Sequence, residues 1–241
     1  MRSSAVHQGQ ARRQGIAPRR NAGRGISMVE LLVGLAVGLF IAAAGVTLMA
    51  GNLRENRSLM LESRLMQDLR TASDIIARDL RRAGYWAGAV AAVRSAAAAS
   101  SPANPYLAVS PSAAQADNVS FAFSRDATEN QTLDSNEQFG FRLRRGVIEM
   151  QLGAGNWQAL TDLNTLFVTD FLVSPTVEEI SLAGQCLRPC PAATVDCPPR
   201  QQVRSLAVAI TARSSGDATV QRNLHSTVRL RNDAVLGACP A

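Results

Sequence analysis

The stretch Gly25-Ile26-Ser27-Met28-Val29-Glu30, followed by the uncharged run from Leu31 to Ala50, organises this chain. Ten of the twenty residues in that run are Leu, Val, Ile or Phe, and each favours membrane insertion by about 0.3 to 0.6 kcal/mol. Twenty helical residues at about 1.5 Å each cover roughly 30 Å, the thickness of the bilayer hydrocarbon. The run therefore predicts a membrane-spanning helix with one acid, Glu30, at its edge.

The net positive charge of the chain lies ahead of this run. Of the 25 basic residues, six precede Gly25, where there is no acid, so 25 − 6 = 19 remain to face 19 acids. Positive residues beside a hydrophobic span stay in the cytoplasm, so the leader predicts that the C-terminal part crosses the membrane. A neutral body lacks the basic excess on which nucleic-acid binding depends, and we expect no nucleic-acid partner.

Two other kinds of targeting segment fit the apolar run. An ordinary secretory signal would be cut near Ala42-Ala43-Ala44, and a plain signal-anchor would not be cut at all. Neither accounts for a glycine ahead of the span together with an acid at its edge.

A basic segment that ends in glycine, followed by four neutral residues, a glutamate and an apolar run, resembles the N-terminus of type IV pilins. The resemblance implies that a prepilin peptidase cuts between Gly25 and Ile26 and methylates the new amine. It also implies that Glu30 attracts the N-terminal amine of a neighbouring subunit, although this carboxylate could instead reach the membrane interface. Gly34 and Gly38 form a small-xxx-small pair that lets another helix approach closely.

Two further segments, Ile76 to Tyr85 and Thr227 to Asn232, resemble the PilW-type minor pilins. The resemblance implies a structural subunit, not an enzyme, that primes or joins the type IV pilus. Its implied partners are the peptidase, other minor pilins, the major pilin, the inner membrane and its pilus assembly platform. Its implied location is the inner membrane, with one span and a periplasmic domain, and then the pilus, at its tip. A type II secretion pseudopilin and a membrane-anchored periplasmic binding or adhesion module are the alternatives.

The pattern beyond the span predicts an α+β fold, with a long N-terminal helix packed on a small, mainly antiparallel sheet, as in pilins. Apolar residues at helical spacing predict a helix from Ile26 to Ala83 that ends near Gly84. The residues that should face the sheet are Leu53, Leu61, Leu65, Leu69, Ala72, Ile76 and Leu80. Alternating segments predict strands at 119–123, 139–143, 147–152, 166–173, 203–212 and 220–230.

The predicted organisation has five parts and one insert. They are a leader (1–25), a transmembrane half-helix (26–50), an amphipathic half-helix (51–84), an Ala/Ser/Pro-rich loop (85–118) and a β domain (119–241) with a cysteine-containing insert (184–199).

Four cysteines lie in the last third of the chain: Cys186, Cys190, Cys197 and Cys239. On the exported side of a membrane they predict two disulfides, with three possible pairings. A zinc site is the alternative, although the close ligand pair typical of such sites is missing.

No catalytic motif, cofactor fingerprint or EF-hand loop is present in the sequence. The acids between Asp126 and Asp134 do not follow calcium-ligand spacing. His225 falls within a predicted strand, where a lone histidine is usually structural. We therefore expect no catalytic residue, no metal and no cofactor.

Overall fold

The computed structural model of the chain describes residues 25–92, 103–192 and 196–240. The basic leader and the centre of the Ala/Ser/Pro-rich loop therefore lie outside the described residues. The chain forms two compact units, one up to Asn52 and one from Leu53 onward.

A single α-helix, α1, spans Met28–Leu80, slightly inside the predicted bounds. Its first turn is closed by the amide of Leu31, which donates to the carbonyl of Ser27 at 3.0 Å. After Leu80 the chain makes a turn that ends at Gly84, whose φ of +75° favours glycine. The predicted stop at Gly84 is thus the end of the turn that follows the helix.

The second unit contains two antiparallel sheets instead of the one sheet predicted. Among the described residues, the first sheet holds β1 (Val109–Ser110), β2 (Asn118–Ala122), β3 (Gln138–Arg144), β4 (Val147–Leu152) and β5 (Trp157–Ala159), in that order. The second sheet holds β6 (Leu166–Ser181), β7 (Arg200–Ser214) and β8 (Gln221–Arg229), with β9 (Ala234–Leu236) paired to the start of β7. Short 3₁₀ helices occupy Ala89–Ala92, Ser135–Glu137 and Ala183–Gln185. The α+β prediction is confirmed.

The β3–β4 hairpin turns through Arg145 and Gly146. Both residues have positive φ, +52° and +79°, which is the signature of the type I′ turn that matches the twist of paired strands. The carbonyl of Gly146 accepts from the amide of Val168 at 2.9 Å. This turn therefore joins the first sheet to β6 of the second.

A hydrophobic core lies between the C-terminal half of α1 and both sheets. Leu65, Leu69 and Leu80 are each at most 1% exposed, and they pack in one cluster with residues of β2 to β4 and β6 to β8. Leu53 was predicted on the same face, but it is 60% exposed. That part of the prediction is wrong because burial begins only at Leu61, near the level at which β8 starts.

β6 is twice as long as the predicted strand at 166–173. Its second half, Ser174–Ser181, is half-buried or exposed throughout, so it has no apolar alternation for sequence analysis to detect. Pro175 also suggests a break, yet an edge strand can contain proline because its outward side needs no donor. β6 and β7 therefore continue together as an arm, residues 175–181 and 200–206, and β9 pairs with residues 200–202 of β7 on the side away from β6.

Candidate functional site

The N-terminal end of α1 places the predicted processing residues in open positions. Gly25 and Ile26 precede the helix, both are exposed, and Ile26 is 72% exposed. Glu30 lies in the first turn, where the unpaired amides of a helix favour a negative charge. Both sides of the expected cut and the acid four residues later are thus accessible to other molecules.

Within the described residues, the part of the first unit from Gly25 to Asn52 does not bury its apolar side chains. Every residue from Gly25 to Asn52 is exposed, and α1 contains a segment long and apolar enough to cross a membrane. A Cβ built on Gly34 or Gly38 would meet nothing within 4 Å. The helix surface at Gly34 and Gly38 is therefore free for another helix to approach closely.

The two segments that resemble PilW-type proteins meet in space at the C-terminal end of α1. The side-chain amide of Asn232 donates to the carbonyl of Ala83 at 3.0 Å, and the amide of Arg231 donates to the carbonyl of Arg81 at 3.4 Å. Two segments that are far apart in the sequence thus form one junction, which supplies donors to carbonyls of the turn that follows α1.

The same junction is tied to the first sheet. The amide of Gly84 donates to the carbonyl of Ala122 at 2.8 Å, and a Cβ at Gly84 would lie 3.4 Å from that of Asn232. Arg82 lies over the ring of Phe123, with 4.0 Å between the guanidinium carbon and the ring centre. The helix end, the segment between β8 and β9 and the first sheet are therefore fixed to one another here.

The four cysteines form two disulfides, Cys186–Cys239 and Cys190–Cys197. Three of them lie in the connection between β6 and β7, which corresponds to the predicted insert. The first disulfide joins residues 53 apart in sequence, with their Cα atoms 5.3 Å apart. It fastens the segment after β9 to the tip of the arm. The amide of Ala238 reinforces this contact by donating to the carbonyl of Asp196 at 2.9 Å.

A buried polar cluster lies around Tyr106, and sequence analysis did not detect it. The Tyr106 hydroxyl, on a fully buried side chain, is 3.0 Å from Oε1 of Glu129 and 3.3 Å from Oε1 of Glu137. Ser124 donates to the other oxygen of Glu129 at 2.5 Å. Burial and the two carboxylates raise the pKa of Tyr106, so its hydroxyl stays protonated and can serve as a donor. The cluster holds the loop from Ser124 to Glu137 against the first sheet.

Asp126, Asp134 and Glu137 place carboxylate oxygens within 4.8 Å of one another. The buried Glu137 already accepts the amides of Arg125 at 2.8 Å and Asp134 at 3.0 Å. Its oxygens therefore stabilise the loop itself, and this cluster gives no evidence for a metal.

The remaining candidate, His225, is an exposed residue of β8 opposite Ala209. The opposite face of β8 packs on α1, where Ser226 and Ser73 hydroxyls are 3.2 Å apart.

Comparison with known proteins identifies the second unit. A family model described as PpdB, prepilin peptidase-dependent protein B, matches residues 58–230. The chain belongs to this family. The match covers more than half of the chain and makes this PpdB-family member a type IV pilus-related protein that depends on prepilin peptidase. No curated protein and no solved structure matches the chain.

The family match begins after the N-terminal processing motif and so is independent of it. It covers the half of α1 that packs on the sheets and strands β1 to β8, and it ends at residue 230, just before the junction residues Arg231 and Asn232 and before β9. The α+β arrangement of this PpdB-family protein is consistent with a pilin-like fold.

Proposed function

We propose that this PpdB-family protein is a minor pilin of the PilW type, a non-enzymatic subunit that primes assembly of the type IV pilus or is incorporated into it. The observation that carries the proposal is the open N-terminal helix. Its glycine-flanked start, its acid in the first turn and its exposed apolar face occur on a chain whose folded unit belongs to a prepilin peptidase-dependent family.

The proposed mechanism follows from the charges and the exposure. The arginines of the leader hold it in the cytoplasm while the second unit crosses to the periplasm. Cleavage after Gly25 exposes the amine of Ile26, which is methylated. Glu30 then pairs with the amine of a neighbouring subunit, because an unpaired carboxylate in an apolar environment is costly. The apolar helix moves from lipid into the filament, with Gly34 and Gly38 at helix contacts.

Processing is tested by mass spectrometry of the mature chain from membranes. We expect an N-terminus at Ile26 with a methylated amine. A chain that begins near Gly45 would refute the pilin assignment, and an uncleaved chain that does not cross-link to major pilin would favour an anchored binding module.

Assembly is tested by Glu30→Ala, with Glu55→Ala as a matched exposed acid farther along α1. Because loss of one partner from a buried charge pair costs about 3–5 kcal/mol, we expect Glu30→Ala to lower the amount of the protein in sheared pili at least tenfold. Glu55→Ala should leave that amount unchanged. Equal recovery of the two variants would contradict the pairing role.

A deletion strain separates the pilus from the secretion system. Loss of twitching motility with normal protein secretion is expected, whereas the reverse pattern would assign the protein to type II secretion.

A further inference from the structure

A cleft of about 690 Å³ lies in the second unit between the two sheets. One wall comes from β1 and its flanking residues, including Leu107 and Val109. The other wall comes from the base of the β6–β7 arm, including Val177 and Arg204. The volume is in the range that holds a small ligand or a short peptide segment.

The cleft opens where the sheets stop pairing. Ala116 and Val173 form an isolated antiparallel bridge, with amide-to-carbonyl distances of 3.0 Å and 2.8 Å. Two residues farther along β6, Pro175 has no amide hydrogen and cannot continue the bridge. Among the described strands, none pairs with the outer edge of β6 beyond this point.

At both walls, some backbone amides and carbonyls point away from the strand with which their own strand is paired. Outward and inward groups alternate along a strand, and Val173 bonds outward to Ala116, so Val177 also directs its amide and carbonyl outward. Alternate residues of β2 bond to β3 on one side and to β1 on the other, and Ser110 is the residue of β1 that bonds to β2. Its neighbour Val109 therefore directs its amide and carbonyl outward, away from β2. Edges of this kind accept an additional extended strand.

Arg204 gives the cleft a positive charge. Its two Nη atoms donate to the carbonyls of Leu107, at 2.5 Å, and Asn232, at 3.0 Å. Its Nε atom is buried without an acceptor. Asp233, an acid that acts on Arg204 electrostatically, already pairs with Arg229 at 3.1 Å. One carboxylate thus balances two guanidinium groups, which leaves one excess positive charge beside an otherwise uncharged lining.

We propose that this cleft binds an extended peptide segment of another protein that carries a carboxylate. The segment pairs with the unpaired backbone groups of Val177 or Val109, and its carboxylate lies toward Arg204. A small carboxylic acid would satisfy the charge but not the strand edges, which is why the structure favours a polypeptide. The inference rests on the cleft alone and does not depend on a role in the pilus.

The first test measures binding to the purified full chain in detergent micelles. The probe is a fluorescent eight-residue peptide of alternating Thr and Val with one central Asp, and its comparator has Asn in place of Asp. Because a hydrogen bond to a charged group contributes about 1.5–3 kcal/mol, we expect the Asp peptide to bind at least tenfold more tightly. Equal binding of the two peptides, or no binding of either, would overturn the proposal.

Two tryptophan variants locate the binding. Ser112 is exposed and lines the cleft, so Ser112→Trp should fill it and abolish binding. Thr128 is an exposed residue outside the cleft lining, so Thr128→Trp is the matched control. If both variants bind like the parent chain, the peptide binds elsewhere and the proposal is wrong.

Two proline variants and a competitor test the strand edge. Val177 and Glu179 both direct their amides outward from β6, but only Val177 lines the cleft. Val177→Pro should weaken binding at least fivefold, and Glu179→Pro should not change it. Decanoate supplies a carboxylate and an apolar tail without peptide groups. Competition by decanoate as strong as that by unlabelled peptide, or equal binding by the two proline variants, would exclude strand pairing.

Discussion

The contact between the β3–β4 turn and β6 can be tested by adding a single methyl group at Gly146. This glycine has a φ of +79°, and a Cβ placed on it would lie 2.6 Å from Cδ2 of the Phe167 ring. Gly155 provides a matched control, because its φ is +73° but nothing lies within 4 Å of its Cβ position. The same substitution thus meets backbone strain at both positions and crowding at only one.

The two costs can be separated by subtraction. Placing alanine in the left-handed region costs about 1–2 kcal/mol, so Gly155→Ala should lower the free energy of unfolding by roughly that amount. Overpacking a core adds about 1–3 kcal/mol, so Gly146→Ala should cost about 2–5 kcal/mol in total. We expect a difference of about 1–3 kcal/mol between the variants, which reports the contact of the β3–β4 turn with Phe167.

The assay is urea unfolding of the full chain in detergent micelles, followed by the fluorescence of Trp86, which is 5% exposed, and of Trp157. The slope of the unfolding free energy against urea should be the same for the parent chain and both variants. Equal destabilisation by Gly146→Ala and Gly155→Ala would show that Phe167 does not pack on the turn, and the described joint between the sheets would be incorrect.

Two further predictions concern charged groups on the second unit. A double-mutant cycle with Glu62→Gln and Arg222→Met should give a coupling energy of about 0.3–1 kcal/mol that falls with added salt, since both side chains are more than a third exposed. Burial alone would raise the pKa of Glu129, but hydrogen bonds, with that from Ser124 the largest, outweigh burial and lower it. Its stabilising effect should therefore be present above the unfolded pKa of about 4.3 and lost as the pH falls through the folded value. In urea titrations between about pH 6 and 3, Glu129→Gln should flatten the pH dependence of stability, and an unchanged slope would contradict this.

Periodicity predicted the parts of the fold in which one face of an element is buried. The face of β8 that includes Leu224 and Val228 is buried or half-buried, as its alternation indicated. Arg222 interrupted that face in the sequence, and the structure supplies the reason: its Nε donates to Oε1 of Glu62 on α1 at 3.1 Å. Pairing between residues 160 positions apart leaves no local signal, so the interruption could be seen but not explained.

Elements that do not have one buried face and one exposed face could not be predicted from the spacing of apolar residues. The distal part of β6 is half-buried or exposed, without one buried face. The way in which the two sheets meet depends on backbone contacts such as that between Ala116 and Val173. The Tyr106 cluster was missed for a different reason. A run of acids appears solvated in sequence, and only the fold shows that Glu137 is completely buried. Tyr106 lies 20 residues before Asp126 (126 − 106), too far along the chain to indicate the contact from the sequence.

In the proposed export of the second unit to the periplasm, the two disulfides differ in when they can form. Cys190 and Cys197 are seven residues apart and can meet as soon as that short segment is released. Cys186 must wait for Cys239, 53 residues later, and so for the whole of β7, β8 and β9. Oxidation of Cys186 before that point would trap it with a wrong partner among the earlier thiols. Early closure of Cys190–Cys197 removes both competitors and leaves Cys186 with one available thiol, so the spacing itself sets the order of oxidation.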